Sequence, residues 1–155
     1  MPAQLTDNQR AWVAKLRDPE LNQAHGKLKK YAKDGTPSYC CLGVLTELSG
    51  LCVEARNNEY GVSFVDIGAG EDAEFYESYP AATVRKWGGT LSADASGDML
   101  LDWGTLATLR EQGQWDADPS WNRDNIGHLS LASLNDFGFS FNQIADLIEY
   151  LGIKP

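Results

Sequence analysis

Asp34-Gly35-Thr36-Pro37-Ser38-Tyr39-Cys40-Cys41-Leu42-Gly43-Val44-Leu45-Thr46-Glu47-Leu48-Ser49-Gly50 is the stretch on which the fold turns. Its opening residues, 34–38, are turn chemistry, because Asp, Gly, Pro and Ser each favour chain reversal for their own reason. The remainder predicts a helix over roughly 39–49, with Ser38 as its cap and Gly50 as its left-handed stop. Cys41, Leu45 and Leu48 share one face, and Leu42 and Val44 flank it. So wide an apolar stripe places the helix at the centre of the core. Cys40 to Leu45 is also the longest uninterrupted apolar run of the chain, and its six residues fall far short of the roughly twenty that cross a bilayer.

On the amino-terminal side, Thr6 and Gln9 have capping-box spacing and open a helix to about Arg17, with Trp12, Val13 and Leu16 facing inward. Pro19 discourages its continuation. The start of the chain lacks a basic segment followed by an apolar one, so it does not read as a secretory signal. On the carboxy-terminal side, Tyr60-Gly61-Val62-Ser63-Phe64 predicts a strand whose partner is 52–56 or 89–92. Residues 68–74 read as an acidic surface loop, Pro80 to Trp87 as a short helix, Met99 to Glu111 as another, and 112–127 as an ordered loop.

Near the end, Ser140 with Gln143 makes a second capping box, and Phe139 is placed to staple onto Ile144. Ile144, Leu147, Ile148 and Leu151 form the buried stripe, and Gly152 stops the helix. A shorter helix over 131–136, capped by Ser130 and closed by Gly138, precedes it. The pair predicts a helical hairpin. The expected fold is therefore a single α+β domain over 1–155, mainly helical, with a small antiparallel β-sheet and this C-terminal hairpin. Its expected core is Trp12, Leu16, Cys41, Leu42, Leu45, Leu48, Trp87, Leu134, Ile144, Leu147 and Ile148. A chain of 155 residues, 43% hydrophobic and 23% charged, is long enough to bury such a core without metals or disulfides.

Charge narrows the partners. Thirteen basic against twenty-two acidic side chains give a net charge of −9. Residues 1–35 carry +3 and residues 36–155 carry −12. Nucleic acid would be repelled at long range, so neither it nor a membrane is expected as partner. A small phosphorylated ligand needs only a local cluster, and Lys27, Lys29, Lys30 and Lys33 with Arg17 and His25 are the one available. The alternative for those residues is a solvated face near a turn.

Enzymatic signatures are sparse. The cysteines are Cys40, Cys41 and Cys52, expected as reduced thiols. Cys40 and Cys41 fall in the first turn of their expected helix, where the dipole lowers a thiol pKa. His25 or His128 would be the base and Asn135 or Asp136 its orienting group. Against this, free cysteine usually packs as a small hydrophobe. Spaced metal-ligand pairs and phosphate loops are missing from the sequence, and Gly68-Ala69-Gly70 is followed by acids that repel phosphate. Neither a metal nor a cofactor is expected. Asn135-Asp136 reads either as a turn or as a pair that hydrogen-bonds a base or ribose. Trp115 and Trp121 would stack on a base or bury a loop.

The series Trp12, Leu16-Arg17, Gln23, Gly26, Leu28 and Tyr39-Cys40-Cys41-Leu42-Gly43-Val44-Leu45 resembles a widespread family of small proteins of tailed bacteriophages and prophages. Tyr60-Gly61, Pro80, Val84, Trp87, Leu134-Asn135-Asp136, Gly138, Ser140-Phe141, Ile144-Ala145-Asp146 and Ile148-Glu149 extend the resemblance along most of the chain. Many relatives carry a further cysteine where this chain has Thr46, and residues 91–128 are longer than the resemblance implies.

The resemblance implies a counter-defence role in the host cytoplasm. The expected form is a sponge, which binds the nucleotide messenger of a bacterial immune system without making or breaking a bond. A small nucleotide-type ligand would be held by Arg17, Gln23, Lys27, Cys40, Tyr60, Asn135 and Asp136, in a homo-oligomer. One alternative is an acidic inhibitor of a host defence nuclease or CRISPR effector. A second is a cysteine-dependent enzyme acting on a nucleotide.

Overall fold

The computed structural model describes residues 4–56, 62–72, 74–89, 131–136 and 138–151. It is an α+β fold of helices and small antiparallel sheets. The first helix, α1 (Asp7–Leu16), opens on the expected capping box. The Gln9 amide donates to Thr6 Oγ1 at 3.1 Å and the Thr6 amide to Gln9 Oε1 at 3.0 Å. Trp12, Val13 and Leu16 are buried, and the Trp12 indole donates to the Cys41 carbonyl at 3.0 Å. One hydrogen bond thus ties α1 to the start of the central helix.

Two short strands precede that helix. β1 (Lys29–Tyr31) and β2 (Pro37–Tyr39) pair antiparallel, Lys30 opposite Ser38. The turn between them is closed by the Ala32 amide on Thr36 O and the Thr36 amide on Asp34 Oδ1, both at 2.9 Å, and Gly35 supplies its positive φ. The turn was expected, but not the strands. Lys29-Lys30 reads as a charge cluster, and three-residue strands are too short to show alternation.

The central helix, α2 (Cys41–Ser49), begins two residues later than expected, and its cap is Cys40 rather than Ser38. Cys40 Sγ accepts from the Gly43 amide at 3.3 Å. Gly43 is required by a close backbone approach: a Cβ there would lie 1.7 Å from the Leu28 carbonyl oxygen. Thr46 is buried and turns its hydroxyl back onto Leu42 O at 2.9 Å. Gly50 ends the helix at φ 66°.

β3 (Cys52–Arg56), β4 (Val62–Asp66) and β5 (Phe75–Tyr76) form the second sheet, in that order. Of the two partners expected for the strand near residue 62, 52–56 is the one found, in register Val53 to Val65 and Glu54 to Phe64. Where residues 68–74 were expected as a loop, Ile67–Asp72 form a 3-10 segment kinked at Gly70. The remaining helices among the described residues are α3 (Ala82–Trp87), α4 (Leu131–Asp136) and α5 (Phe141–Leu151). Ser140 and Gln143 make the expected reciprocal bonds at 3.2 and 2.8 Å at the head of α5. The segments expected at 99–111 and 112–127, with Ser130 and Gly152, lie outside the described residues.

One buried apolar cluster runs through α1, α2, β4, α3, α4 and α5. Every expected core residue belongs to it except Leu48 and Trp87, which are half-buried at its margin. α2 is central because its wide stripe meets neighbours on several sides, α1, α3 and α4 among them. Gly43→Ala should cost about 3 kcal/mol, the upper end for overpacking, since a backbone carbonyl cannot swing aside. Gly50→Ala, with open space around its Cβ, should cost only the left-handed penalty of about 1 kcal/mol. Urea unfolding of the two variants measures both.

Candidate functional site

Asn135, at the end of α4, gathers most of the polar residues singled out in the sequence. Its side chain is fully buried. Oδ1 accepts from Gln23 Nε2 at 2.8 Å and from the Cys41 amide at 3.2 Å, and Nδ2 donates to Ala24 O at 2.8 Å. Gln23 Nε2 also donates to Phe139 O at 2.7 Å. His25 Nδ1 lies 2.8 Å from Asn135 O, and Asp136 Oδ1 accepts from the Gly26 amide at 2.8 Å. Residues 23–26, the first residue of α2 and the end of α4 are thereby tied at one point. Burial explains why the tie is tight: polar groups withdrawn from water must find partners in each other.

The structure thus unites Gln23, Asn135 and Asp136, but by bonding them to the fold. The basic candidates are also engaged. Arg17 reaches Asp146 at 2.7 Å and Glu149 at 3.2 Å, joining the end of α1 to α5. Burial alone would lower its pKa, but the bonds and charges of those two carboxylates outweigh it and raise it. Lys27 meets Glu77 at 3.1 Å. Tyr60, His128, Trp115 and Trp121 lie outside the described residues.

Cys40 and Cys41 follow the packing alternative rather than the nucleophile one. Cys40 is buried and its pKa is pushed up to about 11, by burial first, against the opposing bond from the Gly43 amide. A helix start lowers a pKa by about one unit or less at such strengths, and here desolvation overrides it. Cys41 is fully buried with its pKa also raised, again by burial, and its Sγ donates to Leu131 O at 3.5 Å. Cys52 is half-buried and raised to about 11 by burial and the charge of Asp66. Among the described residues, no cluster of three or more His, Cys, Asp or Glu could hold a metal ion. No described helix is long and apolar enough to cross a membrane.

Two features went unnoticed in the sequence. Lys29, in the basic cluster, is almost wholly buried. Its ammonium bonds Glu54, lies 3.5 Å from Glu47, and sits 5.0 and 5.1 Å from the ring centres of Tyr31 and Tyr39. Burial by itself would lower its pKa, yet the bonds from Glu54 and Tyr31 and the charge of Glu47 raise it, so the ammonium is held charged. Beside it opens a cavity of about 340 Å³ lined by Lys15, Leu21, Tyr39, Val44, Glu47 and Leu48. Among the described residues, none of those expected to bind ligand lines it. Val44, Glu47 and Leu48 share a helical face at i, i+3 and i+4, and Tyr39 lies just ahead of that helix. This spacing was the available signal.

The chain is an α+β scaffold with a partly apolar cavity and with Cys40 and Cys41 buried. The chain belongs to the family described as Domain of unknown function (DUF8296), whose model matches residues 6–151. No curated protein and no solved structure matches it.

Asn135→Ala should destabilise by about 3 kcal/mol, because it takes the acceptor from the Cys41 amide and the Asn135 Nδ2 donor from Ala24 O. Asp136→Ala, at an exposed bond, should cost under about 1 kcal/mol; urea unfolding compares them. Cys40 should resist iodoacetamide at pH 8 in the folded protein and react after unfolding. Because its folded pKa lies above the unfolded value, its stabilisation is complete below about pH 9 and fades as pH rises through about 11. Unfolding free energies across that window should fall more steeply for the wild type than for Cys40→Ser.

Proposed function

We propose that the protein is a phage-type counter-defence factor that sequesters a small nucleotide-type signal, without cleaving it, in the cavity at Tyr39. One observation carries this reading: a cavity of about 340 Å³ brings an apolar wall, an aromatic ring, a cation and a carboxylate to one place. Its size falls at the lower end of small-molecule sites. Leu21, Val44 and Leu48 supply a surface for a base, and Tyr39 an aromatic edge. Tyr39 keeps its proton, because burial and the charge of Glu47 raise its pKa over the opposing Lys29. Its hydroxyl is thus available as a donor. Lys15 offers charge to a phosphate, and Glu47 accepts from a ribose hydroxyl or an exocyclic amine.

Sequestration calls for no nucleophile, which suits a chain whose Cys40 and Cys41 are buried and held protonated. In this reading Gln23, Asn135 and Asp136 shape the fold around the cavity rather than touch the ligand. The finer architecture belongs to the same proposal: one mainly helical domain in which α4 and α5 act as a hairpin.

Calorimetry of the full chain against cyclic and ADP-ribose-type nucleotides tests the proposal. At least one should bind, and saturation at about a hundredfold over Kd should add roughly 2.7 kcal/mol of stability. The nucleotide should be recovered intact after heating. Lys15→Ala and Glu47→Gln, both at half-exposed side chains, should each weaken binding about tenfold, or roughly 1.4 kcal/mol. Turnover of the nucleotide, or affinity indifferent to both variants, overturns the reading.

A further inference from the structure

Glu47 sets the chemistry of the cavity more narrowly than its size does. It follows Val44 and precedes Leu48 on α2, and all three line the cavity with Leu21 and Tyr39. Among the described residues its carboxylate meets one cation, Lys29, whose Nζ stands 3.5 Å from Oε2. Lys29 is bonded to Glu54 and almost wholly buried, so it anchors Glu47 without reaching for a ligand itself. A carboxylate accepts roughly four hydrogen bonds, and a single ion pair leaves both oxygens able to accept.

Two accepting oxygens side by side ask for two donors side by side. Guanine presents such a pair, N1–H next to the 2-amino group. Adenine and cytosine set one amino group beside a ring nitrogen that only accepts, and uracil flanks one N–H with two carbonyls. Each of these three turns a lone pair toward a carboxylate oxygen, an uncompensated contact in a partly apolar setting. A guanidinium offers the same pair of donors, but it brings a positive charge toward Lys29 and Lys15. Guanine brings the donors without the charge. Its flat ring also suits the apolar surface of Leu21, Val44 and Leu48 and the ring of Tyr39.

We infer that the cavity selects a guanine base, with the Glu47 carboxylate accepting from N1–H and the 2-amino group. The inference rests on the sequestration reading and names the base that the site takes.

Calorimetry of the full chain with cyclic GMP, cyclic IMP and cyclic AMP tests it. Cyclic GMP should bind. Cyclic IMP, which lacks only the 2-amino group, should bind about tenfold more weakly, because one hydrogen bond to a charged group is lost. Cyclic AMP should bind no better than cyclic IMP. Glu47→Gln, which turns one acceptor into a donor, should reverse the order and favour cyclic AMP. General loosening of the fold would not produce that reversal. The variant's circular dichroism spectrum should match the wild type's; where it does not, the wild-type ranking decides alone. Equal affinity for the three nucleotides overturns the guanine assignment and leaves sequestration standing, as does binding of an ADP-ribose-type nucleotide alone. N-acetylarginine amide binding more tightly than cyclic GMP also overturns it, because the site would then belong to a guanidinium. Absence of binding by every nucleotide overturns both readings.

Discussion

The close approach of α2 to the Leu28 carbonyl is the constraint from which the rest of the structure follows. A helix can lie that near another backbone only where a residue has no side chain, and Gly43 is that residue. The same turn is capped by Cys40 Sγ, and the Cys40 amide donates back to Leu28 O at 3.3 Å. One residue further on, the Cys41 amide bonds Asn135, and its carbonyl receives the Trp12 indole. Within four residues, the start of α2 therefore fixes the 21–28 segment, α1 and α4 together. Loss of any one bond leaves a buried partner unsatisfied, which costs more than the bond contributes when made.

This junction gives the Cys-Cys-Leu-Gly-Val-Leu run a physical meaning that does not involve reactivity. Cys40 is a cap, Cys41 a small buried packer, Leu42 and Leu45 are core, and Gly43 is the clearance. Sulfur is a weak acceptor, so it caps less strongly than a hydroxyl, but it also tolerates an apolar setting in which an unfilled hydroxyl would be costly. The basic cluster dissolves in the same way. Arg17 and Lys27 hold distant carboxylates in place, and Lys29 is buried between two tyrosine rings and two glutamates.

Local signals carried most of the fold that was legible in the sequence. Both capping boxes, the Gly50 stop and nearly all of the expected core were readable, because each depends on residues a turn or two apart. The β1–β2 pair was not, since three residues cannot display a period. At the site, residue type showed that Gln23 and Asn135 mattered, but not how. An amide that reads a ligand and an amide that bonds the backbone look alike until the partner is known, and Asn135 meets Gln23 across 112 positions of sequence. The cavity was hidden for a related reason: it joins Lys15, Leu21, Tyr39 and α2, and no motif spans that set.

The motif-like residues are the ones whose chemistry is most fully satisfied inside the fold, which shifts attention to residues with capacity left over. Glu47 is such a residue. It stands 3.5 Å from the buried Lys29 ammonium on one side and lines the cavity on the other. Lys29 already bonds Glu54, so Glu47 is a secondary partner whose carboxylate still has sites for further donors. A group entering the cavity would therefore meet a carboxylate held in position by a cation that is not itself exposed. Such preorganisation spares a ligand the cost of ordering the side chain that receives it.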